Sequence, residues 1–319
     1  MKSFGVLPAS ARGFARAVTS AEIKAAVDSE DVLYHQAHAA LSAVLVPYWA
    51  KTASATAIVA ALDNEHGAEN VPFDHYAFRT LGVPGFNIAS ASKLFTDFGY
   101  ERRDALSFPG KKLRAFWFAP PHPSLPRVFV SEIIVEELSE SAQKVIAKYT
   151  AGKPAPAGYG PLLAGAGTPW RTPTAADYDV LAAESEYAAW VLAHGYSLNH
   201  TTISVHGLPG APAIDDFNAT LAKAGFRLSA AGGVTKVSPD GLLLQSSTIA
   251  DFVPYVFACG ATRLIPGAYI EFAERKPLPQ FANLPADEIT EEKRRDGFES
   301  SSADKIFEST DVGVKSAEN

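Results

Sequence analysis

An internal repeat constrains the fold of this 319-residue chain more than any other feature of its sequence. The segments FDHYAFRTLGVPGF and LNHTTISVHGLPGA align so that His75 matches His200 and Gly82 matches Gly207, each at an offset of 125 residues. The Pro-Gly pair that follows each of these glycines matches at the same offset. Because a histidine, a glycine and a Pro-Gly pair rarely fall in one register by chance, the repeat predicts two copies of one supersecondary unit.

The same order of predicted secondary structure follows in both copies of the repeat. A strand-like opening segment leads into a helical segment, LFTDFGY or NATLAKAGF, which stops at a Gly-aromatic pair. Further strand-like segments follow, among them Leu113–Ala119 and residues 127–137 in the first copy. The pattern predicts an α+β fold in which two βαβββ-like modules curl one sheet around a shared metal cavity. This layout resembles the vicinal-oxygen-chelate architecture of glyoxalases and extradiol dioxygenases, a likeness of fold rather than of function.

The regions outside the repeat complete the expected organisation. An N-terminal segment rich in helix formers packs on the core, a helical insertion separates the modules, and a polar tail ends the chain. The expected bounds are 1–70 for the N-terminal segment, 71–275 for the catalytic domain, 71–138 and 197–275 for its two modules, 139–196 for the insertion and 276–319 for the tail.

Composition excludes several classes of function. The net charge of −7 argues against broad nucleic-acid binding, which needs a basic surface, and against attachment to an anionic membrane. No apolar run approaches the roughly 20 residues that span a bilayer. The single cysteine, Cys259, rules out an internal disulfide and a metal site built from several cysteines. A metal must therefore be held by His, Asp or Glu, as is usual in a reducing intracellular compartment.

The N-terminus leaves two locations open. Residues 1–22 carry Lys2, Arg12 and Arg16 but no acidic residue before Glu22, a composition shared with some organelle transit peptides. We favour the simpler interpretation, an irregular arm before a helix. The expected location is therefore the cytoplasm, with the plastid as the alternative.

Two histidines and one glutamate are the candidate metal ligands. The repeat places His75 and His200 on the opening strands of the two modules, across one cavity from each other. Glu271 lies in the last strand of module two between apolar residues, where a carboxylate is costly to bury unless a cation pairs with it. Glu274 is the other candidate for the carboxylate ligand, but it lies three residues after Glu271 and so points to the opposite face of the strand. Two histidines and one carboxylate are the facial triad of non-heme Fe(II) oxygenases, which leaves positions for a bidentate substrate and dioxygen.

Other polar residues are candidates for supporting roles. Arg79 follows His75 by four positions, so the two share a strand face and the guanidinium can hold a substrate carboxylate. The alternative for Arg79 is a salt bridge at the cavity rim. Gln245 and Ser247 end a strand of module two and could bind substrate through polar contacts. Glu132 in module one is left open as a fourth ligand, a residue behind the ligands or a structural residue.

At these residues the sequence resembles the 2-oxoadipate dioxygenase/decarboxylase family, also called 2-hydroxyglutarate synthases. The resemblance spans most of the chain from about residue 71 and rests on FDHYAFRT, VSEIIVEEL, TPWRTPT, LNHTT and YIEFAER. It implies an Fe(II) site held by His75, His200 and Glu271, with Arg79 binding a carboxylate of a small 2-oxo dicarboxylic acid. The implied reaction converts 2-oxoadipate and dioxygen to 2-hydroxyglutarate and carbon dioxide in lysine degradation.

Two other functions are alternatives. A glyoxalase-like lyase or isomerase would use a four-ligand site that includes Glu132 and would need no oxygen. A non-catalytic regulatory protein could keep the same fold, although a site that has lost its catalytic function has no reason to keep three buried polar groups.

Overall fold

The computed structural model of the protein describes residues 32–153, 159–163 and 167–311. The helices are α1 (Val32–Lys51), α2 (Ala53–His66), α3 (Ile88–Asp97), α4 (Glu140–Thr150), α5 (Gly160–Leu163), α6 (Ala175–Ala182), α7 (Glu186–His194), α8 (Ile214–Lys223) and α9 (Ser300–Phe307). The strands are β1 (Phe73–Leu81), β2 (Glu101–Phe108), β3 (Leu113–Ala119), β4 (Arg127–Ile133), β5 (Leu198–Ser204), β6 (Lys236–Val237), β7 (Leu243–Ser247), β8 (Phe252–Val256), β9 (Thr262–Pro266) and β10 (Tyr269–Arg275). The arm or transit peptide considered for residues 1–22 lies outside the described residues.

One eight-stranded sheet, with the order β2-β3-β4-β1-β5-β10-β7-β6, contains both copies of the repeat. In module one β1 pairs in parallel with β4, and in module two β5 pairs in parallel with β10. β1 and β5 pair antiparallel at the centre, so the modules join through their opening strands. The predicted α+β fold, with two βαβββ modules sharing a curled sheet, is confirmed. A separate hairpin of β8 and β9, inserted between β7 and β10, was not predicted.

Helices from the N-terminal segment and the insertion close the core around this sheet. α7 is almost wholly buried against β1, and the indole of Trp190 donates to the carbonyl of Gly267 at 2.8 Å. The hydroxyl of Tyr48 in α1 donates to the carbonyl of Tyr269 at 2.5 Å. Both contacts join helices to the start of β10, the strand that carries Glu271.

Among the described residues, no single helix is long and apolar enough to cross a membrane. Residues 34–51 and 53–66 meet that criterion of length and composition only as a pair bent by 114°. In the fold, Leu41 and Val44 of α1 and Ile58 of α2 are buried in the main core.

β10 shows how the sheet separates an apolar outer face from a polar concave face. Phe272 is 0% exposed and packs edge-on against Phe217 of α8, with ring centroids 5.0 Å apart. Its neighbour Glu271 therefore points to the opposite face, because side chains alternate along a strand. The concave face carries a group of buried polar residues that includes His75, Arg79, His200, Gln245, Ser247 and Glu271.

The chain after β10 folds back over this polar face. We call residues 291–310, which include α9, the covering segment. Its residues Phe298, Ile306 and Phe307 are buried. This differs from the polar tail expected for residues 276–319: charged residues dominate the composition, but the apolar residues of α9 share one helix face, which turns inward. The domain bounds themselves stay a prediction.

Replacing Phe272 with Ala tests the packing of the outer face. The substitution leaves a cavity beneath α8, so we expect the free energy of unfolding to fall by about 3–5 kcal/mol in urea denaturation. Leu264→Ala is the control, because this side chain is 67% exposed and its loss should cost about 0.5 kcal/mol or less. Small and equal effects of both substitutions would contradict the packing.

Candidate metal centre

Three adjacent strands bring the predicted metal ligands together. β1, β5 and β10 are consecutive in the sheet, and Thr202 of β5 pairs with His75 on one side and Glu271 on the other. His200 lies two residues before Thr202 and faces the same side. Oε2 of Glu271 is 3.0 Å from Nε2 of His200 and 3.6 Å from Nε2 of His75. One ligand atom from each residue lies within 4.8 Å of the others, so the three could hold one metal ion.

The three residues of this cluster are almost fully buried, and burial changes the pKa values of their side chains. The exposed fractions are 2% for His75, 5% for His200 and 1% for Glu271. Burial lowers the pKa of His200 to about 4, which leaves its ring neutral at neutral pH. Burial opposes ionisation of Glu271, but the charge of His75 and a hydrogen bond from His200 outweigh it and lower the pKa of Glu271 to about 2. The ionised carboxylate therefore calls for a cation between the rings, either a ring proton or a metal ion.

Each imidazole is oriented by the residue that precedes it. Nδ1 of His75 is 2.7 Å from Oδ1 of Asp74, and Nδ1 of His200 is 3.0 Å from Oδ1 of Asn199. With a metal ion bound, Nδ1 of each ring would donate to these oxygens and Nε2 would direct its lone pair at the ion in place of a proton shared with Glu271. Asp74 and Asn199 were not among the site residues predicted from the sequence. Their signal was present, because they match at the same 125-residue offset as the histidines.

Arg79 lies on the His75 face of β1, enclosed by α7 and the covering segment. Its side chain is 1% exposed, and its guanidinium lies over the rings of Tyr187, Trp190 and Phe307, at 4.9, 5.3 and 5.7 Å from their centroids. Nη2 donates to the carbonyl of Phe307 at 3.3 Å. Arg79 is therefore an interior residue and not a rim residue.

Arg79 also keeps donors without partners. Nη1 is 3.6 Å from the Glu186 carboxylate, too far for a hydrogen bond, and neither Nη1 nor Nε makes a hydrogen bond within the described residues. Burial raises the pKa of Glu186 to about 7, and the charge of Arg79 only partly offsets this effect. Near neutral pH the ion pair is thus only partly formed, and Arg79 can offer two buried nitrogens, Nε and Nη1, as donors to an anion.

Gln245 and Ser247, the two polar residues predicted on a strand of module two, lie on β7 beside β10. Gln245 Nε2 donates to Oε1 of Glu271 at 2.6 Å, while its own Oε1 has no hydrogen-bond partner in the described part of the chain. The hydroxyl of Ser247 is 2.7 Å from that of Ser309 in the covering segment. Gln245 thus holds the carboxylate of Glu271 in place and Ser247 contacts the covering segment, whereas substrate binding by either residue stays a prediction.

Glu132 caps a helix in module one. Its carboxylate accepts from the N–H of Ile88, at the start of α3, at 2.6 Å and from Nε of Arg114 at 2.5 Å. In module two Glu274 accepts from the N–H of Ile214, at the start of α8, at 2.9 Å. Glu132 and Glu274 are therefore equivalent residues, each placing a negative charge at a helix N-terminus.

The sheet register identifies the counterpart of Glu271 in module one. Glu271 pairs with the residue two positions after His200, and Phe129 pairs with the residue two positions after His75. A phenylalanine cannot bind a metal ion. The cluster is therefore asymmetric, with a histidine from each module but a carboxylate from module two alone.

The other histidines with described contacts have different partners. His206 is 3.2 Å from Glu291 and accepts from the N–H of Arg275 at 3.1 Å. Nε2 of His194 is 2.9 Å from the carbonyl of Pro266. Within the ranges that the structure describes, His75, His200 and Glu271 are the only group of three His, Cys, Asp or Glu residues placed to hold a metal ion.

Comparisons with known proteins agree with this geometry. The sequence matches the family described as 2-oxoadipate dioxygenase/decarboxylase over residues 33–155 and 164–284. It is 50% identical over 263 residues to a 2-oxoadipate dioxygenase/decarboxylase, chloroplastic/amyloplastic, from Oryza sativa subsp. japonica, covering 78% of this chain and 72% of the relative.

Solved structures extend the comparison to the fold. The crystal structure of hydroxyglutarate synthase from Oryza sativa in complex with 2-oxoadipate matches with a TM-score of 0.83 and 46% identity, over 86% of this chain and 91% of that one. A putative glyoxalase superfamily protein from Ralstonia eutropha, 21% identical, has a TM-score of 0.65 over 75% of this chain and 82% of its own, a likeness of fold alone. The chain belongs to the 2-oxoadipate dioxygenase/decarboxylase family, which confirms the resemblance carried by its motifs.

Proposed function

We propose that this chain is an Fe(II)-dependent dioxygenase/decarboxylase that converts 2-oxoadipate and dioxygen to 2-hydroxyglutarate and carbon dioxide. The observation that carries the proposal is the buried cluster of His75, His200 and Glu271 at the centre of the sheet in a chain of this family. The name of the rice relative and the 2-oxoadipate complex of the rice structure support the choice of substrate.

The donor set suits iron. Two neutral imidazole nitrogens and one carboxylate oxygen from adjacent strands are typical of non-heme Fe(II) oxygenases. His75, His200 and Glu271 would hold the ion, and Gln245 would hold the second oxygen of the Glu271 carboxylate away from it through the 2.6 Å hydrogen bond. When bound, Fe(II) supplies the redox chemistry that couples reduction of dioxygen to loss of carbon dioxide from a 2-oxo acid.

Arg79 would bind a carboxylate of the substrate. Its unpartnered donors, Nε and Nη1, lie in an aromatic enclosure with almost no solvent access, where a charged hydrogen bond is strong. Glu186 competes for the same guanidinium but is held only at 3.6 Å. An incoming carboxylate can therefore replace a weak internal partner with a direct contact, which orients the substrate on the His75 face of β1.

The covering segment would exclude water from the reaction. Phe298 packs edge-on against the His75 ring, with centroids 4.8 Å apart, and Phe307 lies over Arg79. These two rings place apolar surface on the metal cluster and on the carboxylate site. Exclusion of water protects a reactive intermediate and strengthens each charged contact.

Two observations count against a glyoxalase-like reaction with four protein ligands. Phe129 occupies the position in module one that corresponds to Glu271. Glu132, the fourth ligand that such a site would need, is occupied by hydrogen bonds from Ile88 and Arg114. A non-catalytic role gains no support either, because the chain keeps the full donor set of its family's proposed site.

The plastid gains support as the location. The expectation from composition was the cytoplasm with the plastid as the alternative, and the rice relative is chloroplastic/amyloplastic by name. We therefore propose the plastid. Incubation of the 319-residue chain with isolated chloroplasts would test this proposal, with import as the expected result and retention outside the organelle as the contrary one.

Removal of any one ligand should abolish metal binding. We expect one Fe(II) per wild-type chain after anaerobic reconstitution, and none per chain in the His75→Ala, His200→Ala or Glu271→Ala variants, by elemental analysis. His194→Ala is the control, since this histidine lies outside the cluster and should leave the iron content unchanged. Full iron occupancy of the His200→Ala protein would refute the ligand assignment.

Turnover should consume oxygen and release carbon dioxide in equal amounts. With Fe(II) and 2-oxoadipate as the only organic acid, we expect a one-to-one ratio in combined oxygen-electrode and carbon dioxide measurements, without added 2-oxoglutarate. The product should be 2-hydroxyglutarate, since loss of one carbon and gain of both oxygen atoms balance the equation. Unchanged turnover under anaerobic conditions would instead favour the glyoxalase-like reaction.

Loss of Arg79 should impair catalysis but not metal binding. Breaking a desolvated arginine–carboxylate contact costs about 2–5 kcal/mol, so kcat/KM of Arg79→Ala should fall roughly 30- to several-thousand-fold. Arg79→Lys should recover only part of the loss, because an ammonium cannot make the paired contact. Both variants should keep their iron.

A matched control separates this role from structural support. Arg263 also stacks on an aromatic ring, 4.7 Å from the Phe257 centroid, and pairs with Asp179 far from the cluster. Arg263→Ala should therefore leave kcat/KM unchanged. If Arg79→Ala keeps wild-type kinetics and only lowers the melting temperature, Arg79 is a structural residue.

A further inference from the structure

Asp74 is a buried carboxylate that does more than orient one ring. Besides accepting from Nδ1 of His75, it forms a bidentate pair with Arg275, whose Nε and Nη2 donate to its two oxygens at 2.6 and 2.9 Å. Asp74 is 3% exposed and Arg275 is 0% exposed. A pair buried to this degree is held in one geometry, because any other arrangement leaves a charge without a partner.

The remaining donor of Arg275 reaches the covering segment. Its Nη1 donates to the carbonyl of Gly297 at 2.8 Å and to that of Arg295 at 3.1 Å. The guanidinium also lies over the ring of Phe298, 5.2 Å from its centroid. One guanidinium therefore joins the carboxylate behind His75 to the backbone of the covering segment.

Arg127 makes a second connection of the same kind. Its Nη1 is 3.6 Å from Asp74, and its other nitrogens pair with Glu291 at 3.0 Å and with Asp296 at 2.7 Å. Both ends of the stretch 291–297 are thus attached to Asp74 through arginines. Phe298, the next residue, packs on the His75 ring.

Module two provides an internal comparison. Asn199 orients His200 as Asp74 orients His75, but its side chain is a neutral amide, which cannot form an ion pair. Its amide Nδ2 has no hydrogen-bond partner within the described residues. The fold therefore orients an imidazole without a charge behind it, so orientation alone does not explain the buried ion pairs of Asp74.

We propose that Asp74 and Arg275 are positioning residues that couple metal binding at His75 to docking of the covering segment. This inference rests on the proposed metal site. With a metal ion held by Nε2, the imidazole of His75 would be polarised and its Nδ1–H bond to Asp74 would be stronger. A more firmly held Asp74 fixes Arg275 and, through it, residues 295–298. By linkage, the docked segment in turn raises the affinity of the site for metal.

The first experiment uses the wild-type chain alone. Co²⁺ titration in competition with a chromophoric chelator gives the affinity, and hydrogen exchange by mass spectrometry with and without Co²⁺ follows residues 291–310. We expect Co²⁺ to slow exchange in this segment, where no proposed ligand lies. Binding of Co²⁺ without any change in the exchange of this segment overturns the coupling while leaving the metal site intact. Failure to bind Co²⁺ at all overturns the proposed site and this inference with it.

The second experiment removes the charge of Asp74. Asp74→Asn installs the residue that module two already uses, and we expect Co²⁺ affinity to fall about 10- to 100-fold and the metal-dependent protection of residues 291–310 to disappear. Arg275→Lys keeps a positive charge beside Asp74 but cannot bridge to the backbone carbonyls. This variant should lose the protection while losing less affinity than Asp74→Asn, and it provides the test if Asp74→Asn does not fold.

Glu132→Gln is the matched control. Glu132 is likewise 3% exposed and paired with an arginine in module one, but it touches no proposed ligand. This variant should lose stability yet keep both wild-type Co²⁺ affinity and metal-dependent protection. Equal losses of affinity in Asp74→Asn and Glu132→Gln would mean that both act through general destabilisation, which overturns the positioning role.

Discussion

The rest of the structure depends on one buried negative charge, the carboxylate of Glu271. It lies in the middle of a central strand, 1% exposed, with imidazoles 3.0 and 3.6 Å away. A carboxylate in such a place is stable only if a cation shares the site and if its other oxygen is hydrogen-bonded. Gln245 meets the second requirement, and the two rings, directed by Asp74 and Asn199, form the place for the cation.

The duplicated module explains both the symmetry and the asymmetry of this site. Antiparallel pairing of the two opening strands sets His75 and His200 side by side with their imidazoles on one face. Their copies then diverge: module two contributes Glu271 where module one has Phe129, and module one contributes Arg79. Module two thus supplies the carboxylate of the cluster and module one supplies the buried arginine, while both modules contact the covering segment through Arg275 and Arg127.

Much of the metal site could be predicted from the sequence because the sequence carries two regular patterns, the 125-residue repeat and the two-residue alternation of a strand. The 125-residue offset pairs the modules and their histidines, and the alternation of a strand separates Glu271 from Glu274. The roles of Asp74 and Asn199 could also have been predicted, since these residues match at the same 125-residue offset as the histidines they precede. The ion pair of Asp74 with Arg275 was not, because it joins residues 201 positions apart that no local pattern connects.

The covering segment was missed for a related reason. The segment is rich in charged residues, and a count of residue types cannot show that Phe298 and Phe307 are buried while the charged side chains stay partly or fully exposed. Its docking depends on arginines from two other strands, and such contacts appear only when the fold is assembled. The enclosure of Arg79 by α7 and Phe307 has the same origin, since the strand spacing placed Arg79 on the cavity face but not its neighbours.

Anomalous diffraction at the iron edge, from anaerobic crystals of the Fe(II)-loaded protein, tests the central claim most directly. The account predicts a single strong peak per chain, at about 2.0–2.2 Å from Nε2 of His75, Nε2 of His200 and a carboxylate oxygen of Glu271, distances usual for such ligands to a divalent metal. A peak bound by any other set of residues, or one with the Glu132 carboxylate as a fourth ligand, would contradict it.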